Sequence, residues 1–438
     1  MTSARTLNTD VTDALDEAKA RYTIANPRSR KVHETALKPL PGGNTRTSIF
    51  YEPFPIAFER GEGVRLWDAD GHEYRDFLCE ATAGVYGHSN LVIREVVMQR
   101  LDLGWNLGGH TALEGELARI LTERFPSMQR IRFANSGTEA NMFNIQLARI
   151  DTNRPSVLGF QGCYHGGFLT FTAKTNPLNV PFETVVGTYN DVDGTAALID
   201  RNASRLACAI VEPMIGGGGC IPARLEFLKM LREKTRQHGI VLIFDEVMTS
   251  RLSAGGMQTV TGVIPDLTSL GKYIGGGFSA GAFGGPADIM DRFDPRRSDA
   301  LPHSGTFNNN VFTLSAGIAG LTRAYTPEAA EALNAKGEAL RRRLNQAIEK
   351  AGAAMQFTGY GSMMNVHMRL GEIRSPADAA ASNAKLRELF YFDMLAAGFY
   401  FMPKRGLMAL ALPHSDADCD ALVAGVEEFI SARRSLLN

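Results

Sequence analysis

Two ionisable residues stand beside apolar runs, where an ordinary soluble protein gains nothing from a charge. Lys272 lies between the run LTSLG and a run of glycines in DLTSLGKYIGGG, residues 266–277. Asp245 ends the apolar run VLIF, which is typical of a buried strand. A buried amine with a lowered pKa acts as a nucleophile, and a buried carboxylate requires a cationic partner. Both residues are therefore candidates for chemistry.

Two further stretches supply groups that suit a flat, phosphorylated ligand. Ser136, Gly137 and Thr138 follow RIRFAN and open a helix, where small residues and the helix dipole favour a phosphate. Tyr164, in GCYHGG, follows another strand and offers an aromatic ring for stacking. Together with the amine and the acid, these groups predict a pyridoxal 5′-phosphate (PLP) site. The lysine would form a Schiff base with the cofactor, and the aspartate would keep the pyridine nitrogen protonated.

Other nucleotide sites match the sequence less well. VLIFDE resembles a Walker B strand, but the accompanying GxxxxGK[ST] would need Gly at Asp266 and Ser or Thr at Tyr273. Gly275, Gly277 and Ala280 match the dinucleotide pattern GxGxxA, yet they follow a lysine rather than a strand end. Taken singly, a strand-end aspartate is more often a helix cap, and a lysine before glycines is usually a solvated loop residue. Their order within one domain favours the PLP site.

Alternating helices and short apolar strands, from about residue 110 onwards, must position these groups. Strands are predicted at 130–135, 155–160, 206–213 and 239–247, and helices at 114–125, 137–150 and 225–239. This alternation is typical of a doubly wound, mainly parallel α/β sheet that binds ligands beyond the carboxyl ends of its strands. Before it, residues 10–38 predict one polar helix, followed by a small antiparallel sheet. From Pro327 onwards the sequence predicts a βαβ-like C-terminal domain.

Composition and charge limit the class of protein. The 438 residues carry a formal net charge of −1, which gives no electrostatic reason to bind nucleic acid or an anionic membrane. No apolar run approaches the roughly 18 residues that span a bilayer, and the polar N-terminus lacks the apolar region of a signal peptide. The five cysteines form no CxxC pair and are odd in number, so we expect reduced thiols and a cytoplasmic protein.

The motifs NSGTEAN, GCYHGG, VEP, FDEV, LGKYIGGG and HSGTFNNN resemble those of the class III (omega-type) aminotransferases, which are PLP enzymes of fold type I. The resemblance implies a large PLP-binding domain at 76–325. A smaller α+β domain would combine an N-terminal segment, 1–75, with residues 326–438. It also implies a homodimer with shared active sites, a small-molecule amino donor and keto acid acceptor as partners, and no metal.

Carried over position by position, the resemblance assigns cofactor contacts to nine residues. Ordered by the part of PLP that they would contact, these are Ser136, Gly137, Thr138 and the neighbouring subunit's Thr306 for the phosphate, Tyr164 and Val247 for the two ring faces, Glu212 for the phenolic oxygen, Asp245 for the ring nitrogen and Lys272 for the aldehyde. Lys272 and Asp245 are the predicted catalytic residues.

Within the family the sequence leaves three branches open. PGGNTR at 41–46 resembles glutamate-1-semialdehyde aminomutase, whereas TRTSIFYEPFPI, TAGVYGHS, EVMTSRL and FTGYGSMMN look more like aromatic β-amino acid aminotransferases. Amine:pyruvate transaminases are the third branch. The favoured interpretation is amino transfer from a hydrophobic or aromatic β-amino acid to 2-oxoglutarate or pyruvate. A PLP-free binding protein on this fold is the competing non-enzyme class, and the intact lysine, aspartate and phosphate turn argue against it.

Four residues are predicted to contact the substrate. Arg46 and Arg405 would bind carboxylates, because the planar guanidinium group suits them, and a surface salt bridge is the alternative for each. Tyr86 and Phe54 are the aromatic candidates. Ala81 is small where an aromatic residue is expected in the β-amino acid group, which implies a wider pocket or a different accepted side chain.

Overall fold

The computed structural model describes residues 10–171 and 176–437. Residues 1–9 of the expected N-terminal segment lie outside the described residues. The helices are α1 (Val11–Ala25), α2 (Pro27–Ala36), α3 (Leu91–Leu103), α4 (Ala112–Arg124), α5 (Gly137–Thr152), α6 (Val192–Asn202), α7 (Leu225–His238), α8 (Gly256–Thr261), α9 (Ala287–Met290), α10 (Val311–Ala319), α11 (Pro327–Ala351), α12 (Pro376–Ala380), α13 (Ala384–Ala396) and α14 (Asp416–Ala432). None of these helices is both long enough and apolar enough to cross a membrane.

The strands form four sheets. They are β1 (Phe58–Glu62), β2 (Arg65–Asp68), β3 (Glu73–Asp76), β4 (Arg130–Ala134), β5 (Ser156–Phe160), β6 (Glu183–Gly187), β7 (Leu206–Val211), β8 (Met214–Ile215), β9 (Ile221–Pro222), β10 (Val241–Asp245), β11 (Leu267–Gly271), β12 (Gly281–Gly285), β13 (Gln356–Tyr360), β14 (Met363–His367), β15 (Phe399–Tyr400) and β16 (Leu407–Ala409).

The central sheet has seven strands in the order β4-β12-β11-β10-β7-β5-β6. All neighbours pair in parallel except β12, which is antiparallel to both β11 and β4. Every residue of β7, β10 and β11 is buried, as expected for strands covered on both faces. Helices α5 and α7 pack against this sheet. The predicted mainly parallel α/β sheet is confirmed.

One edge of the central sheet collects the predicted site residues. Strands β4, β5, β7, β10 and β11 run in the same direction, so the residues that follow each of them meet at their carboxyl ends. Ligands bind beyond that edge in open α/β sheets.

The terminal segments differ in part from expectation. The predicted antiparallel sheet is present as β1, β2 and β3, and β15 from the C-terminal region adds to β3 in parallel. The prediction of a βαβ-like tail is wrong. Strands β13, β14 and β16 form an antiparallel sheet, and β15, which lies between β14 and β16 in the sequence, belongs to the N-terminal sheet. Hydrophobic patterning predicts strands but not which sheet they join.

The single helix expected over residues 10–38 is also wrong, because the structure has two helices there. Asn26 lies between them with φ −123° and ψ 54°. The residue before a proline is disfavoured in the helical region, and Pro27 itself starts the second helix. The chain therefore bends at this point.

Candidate active site

Asp245, at the end of β10, is held by three donors. Its Oδ2 accepts a hydrogen bond from Nδ2 of Asn141 on α5 at 2.8 Å, and Nδ1 of His165 lies 2.8 Å from the same oxygen. Its Oδ1 accepts the backbone N–H of Val247 at 3.0 Å. Two side chains thus saturate Oδ2, while Oδ1 keeps a free lone pair for a ligand N–H. Asn141 and His165 were not predicted, although they lie in the motifs NSGTEAN and GCYHGG.

Lys272 follows β11 in the left-handed backbone region, with φ 58°. Its half-buried side chain donates from Nζ to the carbonyl of Ala81 at 2.9 Å. Burial lowers the pKa of Lys272, and the carboxylates of Asp245 and Glu80 oppose that shift. A lowered pKa makes the neutral, nucleophilic amine more available.

The carbonyl that receives Lys272 belongs to a turn of four consecutive left-handed residues, 79–82, with φ between 49° and 78°. That conformation costs a residue other than glycine roughly 1–2 kcal/mol. The carboxylate of Asp76 accepts the N–H groups of Leu78 and Cys79 at the start of the turn. The guanidinium of Arg251 donates to the carbonyl of Thr82 at its end, at 2.8 Å. These contacts stabilise an otherwise unfavourable turn.

Arg251 is fully buried, and its hydrogen bonds in the described residues go to neutral oxygens. Besides Thr82, it donates to the carbonyl of Leu410 and to the hydroxyl of Ser362, the latter at 3.3 Å. The backbone carbonyl of Arg251 in turn accepts a hydrogen bond from Asn334 on α11. This arginine therefore ties the turn at 79–82 to the C-terminal part of the chain. Arg251 was not predicted, although it lies in the stretch EVMTSRL.

The predicted phosphate turn lies at the N-terminus of α5. Ser136 caps the helix by accepting the N–H of Glu139 at 3.2 Å. A Cβ at Gly137 would lie 2.6 Å from Cγ2 of Val247, so the backbone approaches Val247 as only glycine permits. A Cβ at Gly166 would lie 2.6 Å from the Thr138 side chain. Because the first N–H groups of a helix have no partner within it, they can bind a phosphate here.

Tyr164 and Glu212 line the same edge. Tyr164 has an exposed side chain, and its backbone N–H donates to Oε1 of Glu212 at 2.9 Å. The other oxygen of Glu212 accepts the N–H of Gly216 at 3.0 Å. Burial, followed by repulsion from the Asp245 carboxylate, raises the pKa of Glu212. Glu212 is thus close to Asp245, and Tyr164 presents a free ring beside it.

The two predicted carboxylate-binding arginines are both exposed. Nη1 of Arg46 lies 2.6 Å from Oε1 of Glu80. Nη1 of Arg405 donates to the carbonyl of Gly217 at 3.3 Å. Their chain segments are in contact, because Nζ of Lys404 lies 5.2 Å from the ring centroid of Phe50.

Three other predicted site residues are Phe54, Tyr86 and Thr306. The ring of Phe54 is buried 5.0 Å from that of Tyr22, and Tyr86 is buried with its hydroxyl donating to the carbonyl of Tyr273. Thr306 is exposed, in the turn whose Asn308 accepts a hydrogen bond from Asn135. Phe54 and Tyr86 are both buried, and their contact with substrate stays a prediction.

These groups fit PLP. Asp245 keeps one oxygen for a ring nitrogen, Lys272 supplies an amine at the next strand end, and the α5 N-terminus offers N–H groups beside a backbone without room for a side chain. An acid, an amine and an anion-binding helix end at one sheet edge are what this cofactor requires.

Comparison with known proteins gives the same result. The family model for class III aminotransferases matches residues 48–383. The chain is 51% identical to a β-phenylalanine transaminase from Variovorax paradoxus over 98% of each chain, and 37% identical to a glutamate-1-semialdehyde 2,1-aminomutase from Desulforudis audaxviator over 92% of this chain and 97% of the other. A crystal structure of a β-phenylalanine aminotransferase from V. paradoxus superimposes with a TM-score of 0.96 at 50% identity, covering 98% of this chain and 99% of that one. The chain therefore belongs to the class III aminotransferases and is a PLP-dependent enzyme of that family.

Proposed function

We propose that this aminotransferase moves the amino group of an aromatic or hydrophobic β-amino acid to an α-keto acid, 2-oxoglutarate or pyruvate. The observation that carries the proposal is that Arg46 pairs with Glu80, the residue before the carbonyl that accepts Lys272. The segment of Arg405 contacts that of Arg46 through Lys404 and Phe50. The 51% sequence identity of the chain to a β-phenylalanine transaminase supports the substrate class.

Two arginines suit the two kinds of substrate that such a site binds in turn. A hydrophobic β-amino acid carries one carboxylate and one apolar group, whereas 2-oxoglutarate carries two carboxylates. In this proposal Arg46 binds the carboxylate of the donor, and Arg405 binds the second carboxylate of the acceptor. Arg405 is exposed and donates one long hydrogen bond to Gly217. Because this bond is long and exposed to water, it holds Arg405 weakly, and Arg405 can move aside for an apolar group.

The proton transfers fall to Lys272. When bound, PLP delocalises the electron pair left on the amine-bearing carbon of the substrate. Nζ of Lys272 would take the proton from that carbon and deliver it to C4′ of the cofactor, as general base and then as general acid. Asn141 and His165 fix the carboxylate of Asp245, whose other oxygen would keep the ring nitrogen protonated. Tyr164 and Val247 would cover the ring faces, and Glu212 would lie near the phenolic oxygen.

The remaining contacts in the proposal need a second copy of the chain. Ser136, Gly137 and Thr138 bind the phosphate from one subunit, and Thr306 completes the site from the other. The turn that carries Thr306 also carries the exposed ring of Phe307. The ring centroid of Phe312 lies 5.9 Å from that of Trp105 and 6.2 Å from that of Phe278. The exposed members of this patch are Leu101, Leu103, Trp105, Leu107, Phe278 and Phe307. Patches of this kind mark interfaces, and an active monomer in sedimentation experiments would refute the homodimer.

The same proposal divides the chain into a large domain, 76–325, and a small one formed by 1–75 with 326–438. The pairing of β15 with β3 supports it, because this pairing joins the two terminal segments in one sheet. A cytoplasmic location is supported by the five free, buried cysteines, which suit a reducing compartment.

A panel of amino donors tests the substrate class. β-Phenylalanine, α-phenylalanine and 1-phenylethylamine are compared with pyruvate and with 2-oxoglutarate as acceptors. We expect the highest kcat/KM with β-phenylalanine. Preference for 1-phenylethylamine, unchanged in Arg46→Ala, would favour an amine:pyruvate transaminase instead. Isomerisation of glutamate-1-semialdehyde without an acceptor would favour an aminomutase.

A further inference from the structure

Glu80 forms an ion pair with Arg46, the arginine that would bind the substrate carboxylate in the proposed function. Its Oε1 lies 2.6 Å from Nη1 of Arg46, and the two side chains are 59% and 45% exposed. We propose that Glu80 is an internal competitor for Arg46 and thereby a specificity-determining residue. A substrate carboxylate has to displace it, whereas an amine without a carboxylate leaves the pair intact. This inference rests on the proposed role of Arg46 in binding the donor.

The backbone that carries Glu80 is fixed, so competition involves its side chain alone. Glu80 lies in the left-handed turn 79–82. The neighbouring carbonyl of Ala81 accepts the hydrogen bond from Lys272, and that of Thr82 accepts one from Arg251. One rigid turn therefore contacts the proposed carboxylate-binding arginine on one side and the reactive lysine on the other.

Displacing Glu80 costs little free energy, because its carboxylate is already partly in water. A displaced Glu80 regains its hydration, and the substrate carboxylate then pairs with Arg46 in its place. The free energy of an exposed ion pair is small, and it corresponds to about a 1.4- to 5-fold change in the dissociation constant of a competing ligand. Glu80 should weaken carboxylate binding by a factor in this range.

The same pair explains how the pocket accepts groups without a carboxylate. With such a ligand, Arg46 would be left as an unpaired cation in a site from which water is being excluded, and that is unfavourable. Glu80 keeps Arg46 paired in that case. It therefore narrows the difference in affinity between carboxylate and non-carboxylate donors.

The test is a double-mutant cycle with 3-phenylpropanoate, which carries the ring and carboxylate of β-phenylalanine without the amine. Calorimetry on the holoenzyme should give about 1.4- to 5-fold tighter binding in Glu80→Gln than in wild type. In the Arg46→Ala background the same substitution should leave the affinity unchanged. Equal tightening in both backgrounds, or none in either, would overturn the inference.

Steady-state kinetics supply a second readout. Glu80→Gln should lower the KM for β-phenylalanine within the same range and raise that for 1-phenylethylamine, because Arg46 then has no partner when the amine binds. The matched control is Asp420→Asn, which breaks the Asp420–Arg343 pair at the same 2.6 Å and with similar side-chain exposure, 63% and 44%. A wild-type enzyme that rejects β-phenylalanine refutes the proposed function itself. A wild-type enzyme that accepts it, with identical KM values in Glu80→Gln, refutes only the role of Glu80.

Discussion

Asn141 donates a hydrogen bond of 2.8 Å to Oδ2 of Asp245, although 104 residues separate the two in the sequence. Nδ1 of His165 lies at the same distance from that oxygen. Hydrogen bonds to an ionised group are about twice as strong as neutral ones. Two such contacts fix the orientation of the carboxylate, so that its other oxygen is aimed at a single position in the site.

Asp245→Asn should retain the fold but lower kcat by orders of magnitude. The amide has nearly the same shape, yet it cannot stabilise a positive charge on the ring nitrogen. Steady-state kcat gives the readout, with thermal unfolding as the control for folding. Turnover near the wild-type rate would show that Asp245 does not have this role.

Lys272 should be the lysine that carries the cofactor. Borohydride reduction of the holoenzyme, followed by peptide mapping, should locate the pyridoxyl group on Lys272, because its amine lies at the same sheet edge as Asp245 and has a lowered pKa. Lys272→Met should remain unlabelled. Label on another lysine of the wild-type enzyme would contradict the assignment.

The cofactor-free protein should show a pH dependence of stability that Lys272 causes. Burial lowers the pKa of Lys272 in the folded state. Between that lowered pKa and the ordinary lysine value of about 10.4, the unfolded chain binds more protons. The free energy of unfolding therefore rises with pH in this window.

We expect the stability of wild type relative to Lys272→Met to increase as pH rises through that window. Urea unfolding of both cofactor-free proteins at several pH values measures the difference. Loss of the hydrogen bond to Ala81 shifts the difference by a constant but does not change its slope. A difference that is flat or falls with pH would contradict the prediction.

Arg405→Ala should distinguish the two acceptors. Losing one charge-assisted pair costs about 1.5–3 kcal/mol, so kcat/KM for 2-oxoglutarate should fall on the order of ten- to a hundredfold. Pyruvate lacks the second carboxylate and should be affected much less. Kinetics with both acceptors at a fixed donor concentration test this, and an equal loss for both would exclude a role in recognising the second carboxylate.

Arg251→Met should destabilise the protein and loosen the turn at 79–82. The substitution leaves the buried carbonyls of Thr82 and Leu410 without their donor, and each unsatisfied group costs about 1–3 kcal/mol. We expect the free energy of unfolding in urea to fall by roughly 2–5 kcal/mol. Arg251→Lys, which retains one charged donor, should lose less. Unfolding curves that coincide for all three proteins would disprove the role of Arg251.

The sequence by itself determined the fold class and the cofactor. Asp245, Lys272 and the Ser136–Thr138 turn each lie at the end of a strand or just beyond it. In a parallel sheet, strand ends meet at one edge whatever the order of the strands. Each strand and the residue that ends it can be recognised from a short stretch of sequence. The residues at the strand ends were therefore enough to predict an acid, an amine and a phosphate turn in one site.

Only the tertiary structure decided what holds these groups in place. The partners of Asp245, the anchor of the left-handed turn and the pairing of Arg46 with Glu80 join residues between 34 and 169 positions apart. The sequence likewise predicted a small antiparallel sheet near the N-terminus but not the pairing of β15 with β3. Such contacts depend on how helices and loops pack, and no residue pattern within a short window encodes a distance between segments so far apart in the chain.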